Sequence, residues 1–353
     1  MKTNLKTRLI LPLLLVSSAL LIVASCEKEV VPTVAYTITV KDENGSTLGS
    51  FQQYKGLGIT LKKLQDAGLA TRTDGSNVEY FNRFFLEQTF KTAVPRISTF
   101  NTATTVYAHF VPETYKNIAY KEGNDFKEAF RFMNEAVIKR ITYDTIKEAL
   151  NEADLHPTES NRMIGIHDHS SLPFTLQPNG TDGSGNVIYT WNREHVWPQS
   201  KMKLDSETDG RSLPGSGLTN HRTDMVNLRA SDHAVNTARG NGEYGFSPDK
   251  GLFQPTYDRG EIARILLYME TAYDLSLTET MGSERLGFND TQLSRTYGNS
   301  KDVLRWWLEE PTPNDFEVRR QTYIQKWQKN RNPFVDEPLF IHSIHDLSTA
   351  TAR

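Results

Sequence analysis

The chain contains a single cysteine, Cys26, so no disulfide can form within it. Its setting gives that weight. Lys2, Lys6 and Arg8 precede an apolar run from Leu9 to Val23, and the small residues Ala24 and Ser25 lead directly into Cys26. A basic start, an apolar stretch and a small-residue cleavage site are the parts of an export leader. Exported folds often rely on disulfides, and this one must be held by hydrophobic cores alone. With 353 residues, of which 37% are hydrophobic, there is length for two such cores besides the leader.

The stretch Ile22-Val23-Ala24-Ser25-Cys26 resembles a bacterial lipobox, in which the cysteine is lipidated and becomes the first mature residue. A run of 15 apolar residues is short for a transmembrane span. Residues 1–25 are therefore expected to be a lipoprotein signal and residues 26–33, with Glu27-Lys28-Glu29 and Pro32, a tether. Several acyl chains on Cys26 would anchor the chain stably to the periplasmic or cell-surface face of the envelope, where one chain would bind only marginally.

Removing the leader takes away three basic residues and no acid, moving the formal net charge from −3 to −6. Nonspecific nucleic-acid binders are usually basic. Any polyanionic partner must then be held by a local patch and a bound cation.

Two periodicities divide the remainder. From Ala35 to Val40 β-formers alternate with polar residues, and Asp42-Glu43-Asn44-Gly45 supplies a turn before a second strand near Thr47 to Phe51. A short helix is expected from Thr60 to Ala67 and another alternating strand from Thr104 to Val111. Residues 34–112 form a small β-rich α+β module, β-grasp-like in outline. Pro112 marks its end. Beyond it, Phe126, Ala129, Phe130, Met133 and Val137 share one helical face, and further helices are expected at Tyr143 to Ala153, Glu261 to Tyr273, Lys301 to Glu310 and Asn314 to Lys329. Thr312 can cap the last of these, with Pro313 in its first position. The fold class is α+β, with residues 115–345 a mainly helical second domain.

The chemistry concentrates in Trp191-Asn192-Arg193-Glu194-His195-Val196-Trp197-Pro198, which sets a carboxylate, an imidazole and a guanidinium side by side after a strand. A neutral imidazole can take a proton from water near pH 7, an oxygen ligand can hold Mg²⁺, and a cation can meet a phosphate. In extended chain Glu194 and His195 point to opposite faces, so both can serve one site only where the strand bends or ends. Downstream, Ser231-Asp232-His233-Ala234-Val235-Asn236-Thr237-Ala238-Arg239-Gly240-Asn241 reads as a short helix capped by Ser231 and stopped by Gly240.

These two motifs, Glu-His-Val-Trp-Pro and Asp-x-x-Val-Asn-x-x-Arg-Gly-Asn, are similar to those of the bacterial endonuclease I family. Arg259-Gly260-Glu261-Ile262-Ala263-Arg264 and the C-terminal Asn330-Arg331-Asn332-Pro333-Phe334-Val335-Asp336 extend the likeness over about residues 115 to 341. The resemblance implies a ββα-metal active site. It makes His195 the general base, gives Glu194 and Asn236 one divalent ion (Mg²⁺, with Mn²⁺ or Ca²⁺ as substitutes), and assigns Arg239 a catalytic place on the phosphate. Arg193 and Asn241 would contact substrate, and Arg211 would correspond to a transition-state arginine. It further implies 5′-phosphate ends. No base-reading module is visible in the sequence, so DNA, and RNA as well, is the expected polymer partner, cut with little sequence preference by a monomer.

One position departs from the family pattern. Val226, in Asp224-Met225-Val226-Asn227-Leu228, stands where the family commonly has an imidazole, with His221 and His233 the nearest substitutes. Residues 191–240 hold seven Lys or Arg against six Asp or Glu, hardly a basic groove. A surface binding lipoprotein with a degenerate nuclease site is the alternative these features motivate. His167-Asp168-His169 reads as a polar turn, because no third ligand stands at a zinc-like spacing, and Trp306-Trp307 reads as core.

Overall fold

The structure is a computed structural model that describes residues 34–96, 98–202, 221–246, 251–273, 275–279, 295–347 and 350. The leader, Cys26, the tether and Arg211 lie outside the described residues. No helix among those described is long and apolar enough to cross a membrane.

The first unit is a five-stranded sheet. Strands β1 (Ala35–Lys41) and β2 (Thr47–Tyr54) form the expected hairpin. Its turn is set by the Asp42 carboxylate, which accepts from the backbone of Asn44 and Ser46 at 2.9 and 2.7 Å, and by Gly45 at φ 82°. Helix α1 (Leu61–Asp66) is capped by the Thr60 hydroxyl. Strands β3 (Thr71–Asp74), β4 (Asn77–Phe85) and β5 (Thr104–Pro112) complete the order β2-β1-β5-β4-β3, in which β1 and β5 run parallel. Ile38, Val40, Phe51, Leu64, Val106 and Phe110 fill its core.

A second core occupies the rest of the described chain. Helices α2 (Gly123–Val137) and α3 (Thr145–Ala153) bury Phe126, Phe130, Ile146 and Leu150. Val137 ends α2 half exposed rather than on the buried stripe. Two small pairs follow, β6 (Arg162–Ile164) with β7 (Ser171–Pro173) and β8 (Pro178–Thr181) with β9 (Val187–Tyr189). Then come β10 (Trp191–His195), β11 (Leu228–Asp232), α4 (His233–Arg239) and α5 (Arg259–Ala272). The parallel pair β12 (Ser276–Thr278) and β13 (Thr296–Gly298) precedes α6 (Ser300–Glu309), α7 (Asp315–Gln328) and α8 (Pro333–Asp336). Both helices and sheets carry the fold, so the class is α+β. Trp306 and Trp307 are core residues, as expected.

Two caps differ from the expectation. Asn314, not Thr312, caps α7, in a reciprocal box where its side chain accepts from Glu317 N and Glu317 accepts from Asn314 N. Asp232, not Ser231, caps α4, accepting from Ala234 N and Val235 N. Ser231 stays in β11 because pairing with Asn192 extends the strand to Asp232.

Helix α5 is the spine of the second unit, buried from Gly260 to Ala272. Its charged residues survive there because each is paired: Glu261 with Arg229, Arg264 with Glu317 through two contacts, and Glu270 with Lys127 at 3.0 Å and His345 at 2.6 Å. Burial alone would raise the pKa of Glu270, but His345 and Lys127 outweigh it and hold the carboxyl below its ordinary value. A depressed folded pKa contributes stability above the unfolded value, about 4.5, that is lost as pH falls through the folded one. Glu270→Gln should therefore lower stability to urea at pH 7, with the gap to wild type closing at acid pH.

Candidate active site

Strands β10 and β11 pair antiparallel, with Glu194 opposite Arg229 and His195 opposite Leu228, and α4 follows β11 directly and packs on both. Alternation along β10 sends Asn192 and Glu194 to one face and Trp191, Arg193 and His195 to the other. The contacts follow that division.

On the first face two rungs join β10 to α4. Asn236 Nδ2 donates to Asn192 Oδ1, and Arg239 Nη1 lies 3.0 Å from Glu194 Oε1. Residues two apart on the strand thus meet residues three apart on the helix, and Asn236 stands one rung from Glu194. All the polar contacts of the Glu194 carboxylate fall on Oε1: Arg239, the Tyr244 hydroxyl at 3.4 Å, and His167 Nε2 at 4.0 Å. Among the described residues Oε2 has no partner. The donation from Asn236 Nδ2 likewise leaves its Oδ1 uncommitted. Asn192 Nδ2 in turn lies 3.4 Å from His233 Nδ1.

Glu194 is 2% exposed, and burial, opposed by Arg239 and Tyr244, pushes its pKa up to about 7. Arg239 stays a cation: burial works against its charge, and Glu194 more than restores it, holding the guanidinium above its ordinary value.

Arg239, expected to contact phosphate, is buried at the junction of α4 and the end of β10. Its Nη atoms are committed to Glu194, to the carbonyls of His195, Val196 and Gly240, and to the Tyr297 hydroxyl, and its guanidinium packs over the Tyr244 ring. Those bonds make it a strut that fixes Glu194 and the end of β10. Arg193 stacks on Tyr143 at 3.5 Å and donates to that residue's carbonyl, so it too serves the protein first. Asn241 is exposed just beyond α4.

On the second face His195 ends the strand. Its Nε2 lies 2.9 Å from the carbonyl of Arg222. A carbonyl only accepts, so Nε2 carries the proton and Nδ1 the lone pair. The Tyr143 ring stacks on the imidazole at 5.8 Å and 20°. Burial, then the nearby charges of Arg193, Arg239 and Arg222, lower the pKa of His195 to about 4 against the single opposing bond to Arg222, so the ring is neutral at physiological pH.

The structure also brings in residues that local pattern could not show. Tyr143 meets His195 from the loop before α3, with no sequence signal beyond its aromatic character. His167, read as part of a polar turn, is in a turn at φ 84° but is 1% exposed, with Nε2 2.8 Å from the Tyr244 hydroxyl behind Glu194. Val226 packs in the hydrophobic core, its N–H bonded to Asp224, and His221 is buried against the carbonyl of Met202.

Comparison with known proteins gives the class of this α+β chain. The profile of the family described as Endonuclease I matches residues 123–251 and 248–339, more than half the chain and all of β10, β11 and α4. The extracellular ribonuclease of Bacillus amyloliquefaciens is 28% identical over 244 residues, covering 64% of this chain and 75% of the relative. That of Bacillus subtilis (strain 168) is 30% identical over 217 residues, covering 56% of this chain and 66% of the relative. The molecule is a nuclease, an enzyme whose substrate is nucleic acid. The chain belongs to the endonuclease I family, with β1 to β5 lying outside the matched region.

The strut can be weighed. Arg239→Ala should cost ~3–5 kcal/mol of unfolding free energy by leaving a buried carboxylate unpaired. Adding Glu194→Gln should recover part of that loss, measured by urea denaturation of the two variants at pH 8.

Proposed function

We propose that this endonuclease is exported, lipid-anchored through Cys26 and monomeric, and that it hydrolyses phosphodiester bonds in DNA and RNA with little sequence preference, using one divalent cation. The proton arrangement of His195 carries the reading: Nε2 is tied to a carbonyl and Nδ1 is left to accept.

The donors suit a hard cation. Glu194 Oε2 and Asn236 Oδ1 are both oxygens and both uncommitted among the described residues, while their partner atoms are held by Arg239 and Asn192. No three His, Cys, Asp or Glu side chains converge there or elsewhere among the described residues. One carboxylate, one amide and water are the sparse oxygen set in which Mg²⁺ keeps much of its hydration. When bound, the cation supplies charge stabilisation for the phosphorane-like transition state and its leaving oxygen.

The chain's own groups do the rest. His195 Nδ1 accepts a proton from water as the water oxygen bonds to phosphorus. The bond to the 3′-oxygen breaks with its electron pair on that oxygen, which takes a proton from solvent water to become the 3′-hydroxyl; the 5′-phosphate remains on the other fragment, and His195 returns its proton to solvent. Asn192 and Arg239 hold the cation ligands, and Tyr143 and the Arg222 carbonyl hold the base in plane. Because Glu194 and His195 diverge at the strand end, the scissile phosphate crosses that end to meet both. The described residues given roles here all act at the phosphate, and backbone contacts carry no base information, which supports cleavage without sequence preference. The relatives' names as extracellular ribonucleases support export and action on RNA. The binding-only alternative loses its motive at Val226, which is core.

Two measurements test this. The purified protein should nick supercoiled plasmid and degrade RNA with Mg²⁺ and stop with EDTA, and His195→Ala, folded by circular dichroism, should lose at least ~100-fold in rate; a fully active His195→Ala protein ends the assignment. Cation affinity by calorimetry should fall ~10-fold from pH 8 to pH 6, because Glu194, with its pKa near 7, must be ionised to bind.

A further inference from the structure

The exported chain carries a formal net charge of −6, so a nucleic acid must find positive charge gathered somewhere on its surface. The fold gathers it from residues far apart in sequence. The backbone N–H of Lys139, just after α2, donates to the carbonyl of Gln328 at 2.7 Å, which sets Lys139 beside Lys329, the left-handed C-cap of α7 at φ 73°. Both lysines are exposed.

Neither ammonium has a carboxylate partner among the described residues. Lys329 Nζ donates to the carbonyl of Lys326 at 3.0 Å. The acids nearby are already neutralised, Glu135 by Arg140 and Glu152 by Lys326 at 2.6 Å and the Trp327 N–H at 2.9 Å. What remains is a pair of free positive charges at one place on the surface.

That place adjoins the base. From Lys139 the chain runs four residues to Tyr143, which stacks on His195, and four residues span at most ~14 Å. Arg140, between them, packs over Tyr273, whose ring touches His221 next to the Arg222 carbonyl that holds His195. The segment from Lys139 to Tyr143 therefore leads from the paired lysines to the catalytic imidazole.

We propose that Lys139 and Lys329 clamp backbone phosphates of a single polynucleotide strand, a few nucleotides to one side of the scissile bond. The clamp rests on the nuclease reading above. Ammonium groups on flexible stems act as point charges on phosphate and carry no base information, which accords with the proposed cleavage without sequence preference. The clamp acts in binding and leaves the chemical step alone.

The test uses a fluorogenic single-stranded RNA oligonucleotide with Mg²⁺, and reads log(kcat/KM) against log[KCl] for wild type, Lys139→Ala, Lys329→Ala and the double variant. Each single variant should flatten the slope by ~0.7 and the double by ~1.4, because each phosphate no longer held leaves its counterion in place. At low salt KM should rise several-fold with kcat unchanged, and the curves should converge at high salt. Lys55→Ala with Lys91→Ala, on the five-stranded unit, should leave the slope as in wild type. A cleaving wild type whose slope survives in the double variant overturns the clamp alone, as does an equal flattening by the Lys55 and Lys91 changes or a fall confined to kcat. A wild type inactive on RNA and DNA overturns the nuclease reading and the clamp together.

Discussion

Asp154, a fully buried carboxylate at the end of α3, is the interaction on which the catalytic half of the molecule depends. One oxygen receives Arg320 at 2.8 Å, and the other receives Arg229 at 2.7 Å together with the N–H of Ala230 at 2.7 Å. Arg229 continues to Glu261 on α5, and Arg320 reaches the carbonyls of Met225 and Leu228. Three helices are thereby fastened to β11. Buried ions are tolerated only when every donor and acceptor is met, and here the network meets them while fixing one register. Since β10 pairs with β11, the placement of Glu194 and His195 is inherited from that anchorage.

Much of the fold was legible because it is written in short-range pattern. The hairpin from Ala35 to Tyr54 has alternation and an Asp-x-x-Gly turn, and α2 and α3 have apolar spacing that local reading catches. Strand β4 escaped it. Phe81, Asn82, Arg83, Phe84 and Phe85 are all buried, so the strand shows no alternation, and Arg83 is buried only because it reaches Glu122 and Ser343 outside the sheet. The misplaced caps at Thr312 and Ser231 have a similar cause, since which of several polar residues caps a helix depends on where the preceding chain is held.

The residues of the site were legible by type and motif, and their division of labour was not. Arg239 has the charge to meet a phosphate, but three backbone carbonyls, a tyrosine and Glu194 claim it, and only the folded chain brings those together. Tyr143 was invisible, and His167 was read only as part of a polar turn, for the opposite reason: each gains its place from a partner far along the chain, His195 for Tyr143 and Tyr244 for His167. A sequence names the reagents of such a site more readily than the braces that hold them.

The divergence of Glu194 and His195 at the end of β10 has a topological consequence. On the roles proposed above, groups on two sides of a strand terminus would hold a polymer across that terminus rather than in a pocket at its tip. Entry would then need no free end of the polymer, circular and very long chains would be as open to attack as fragments, and each cut would create two new substrates of the same kind.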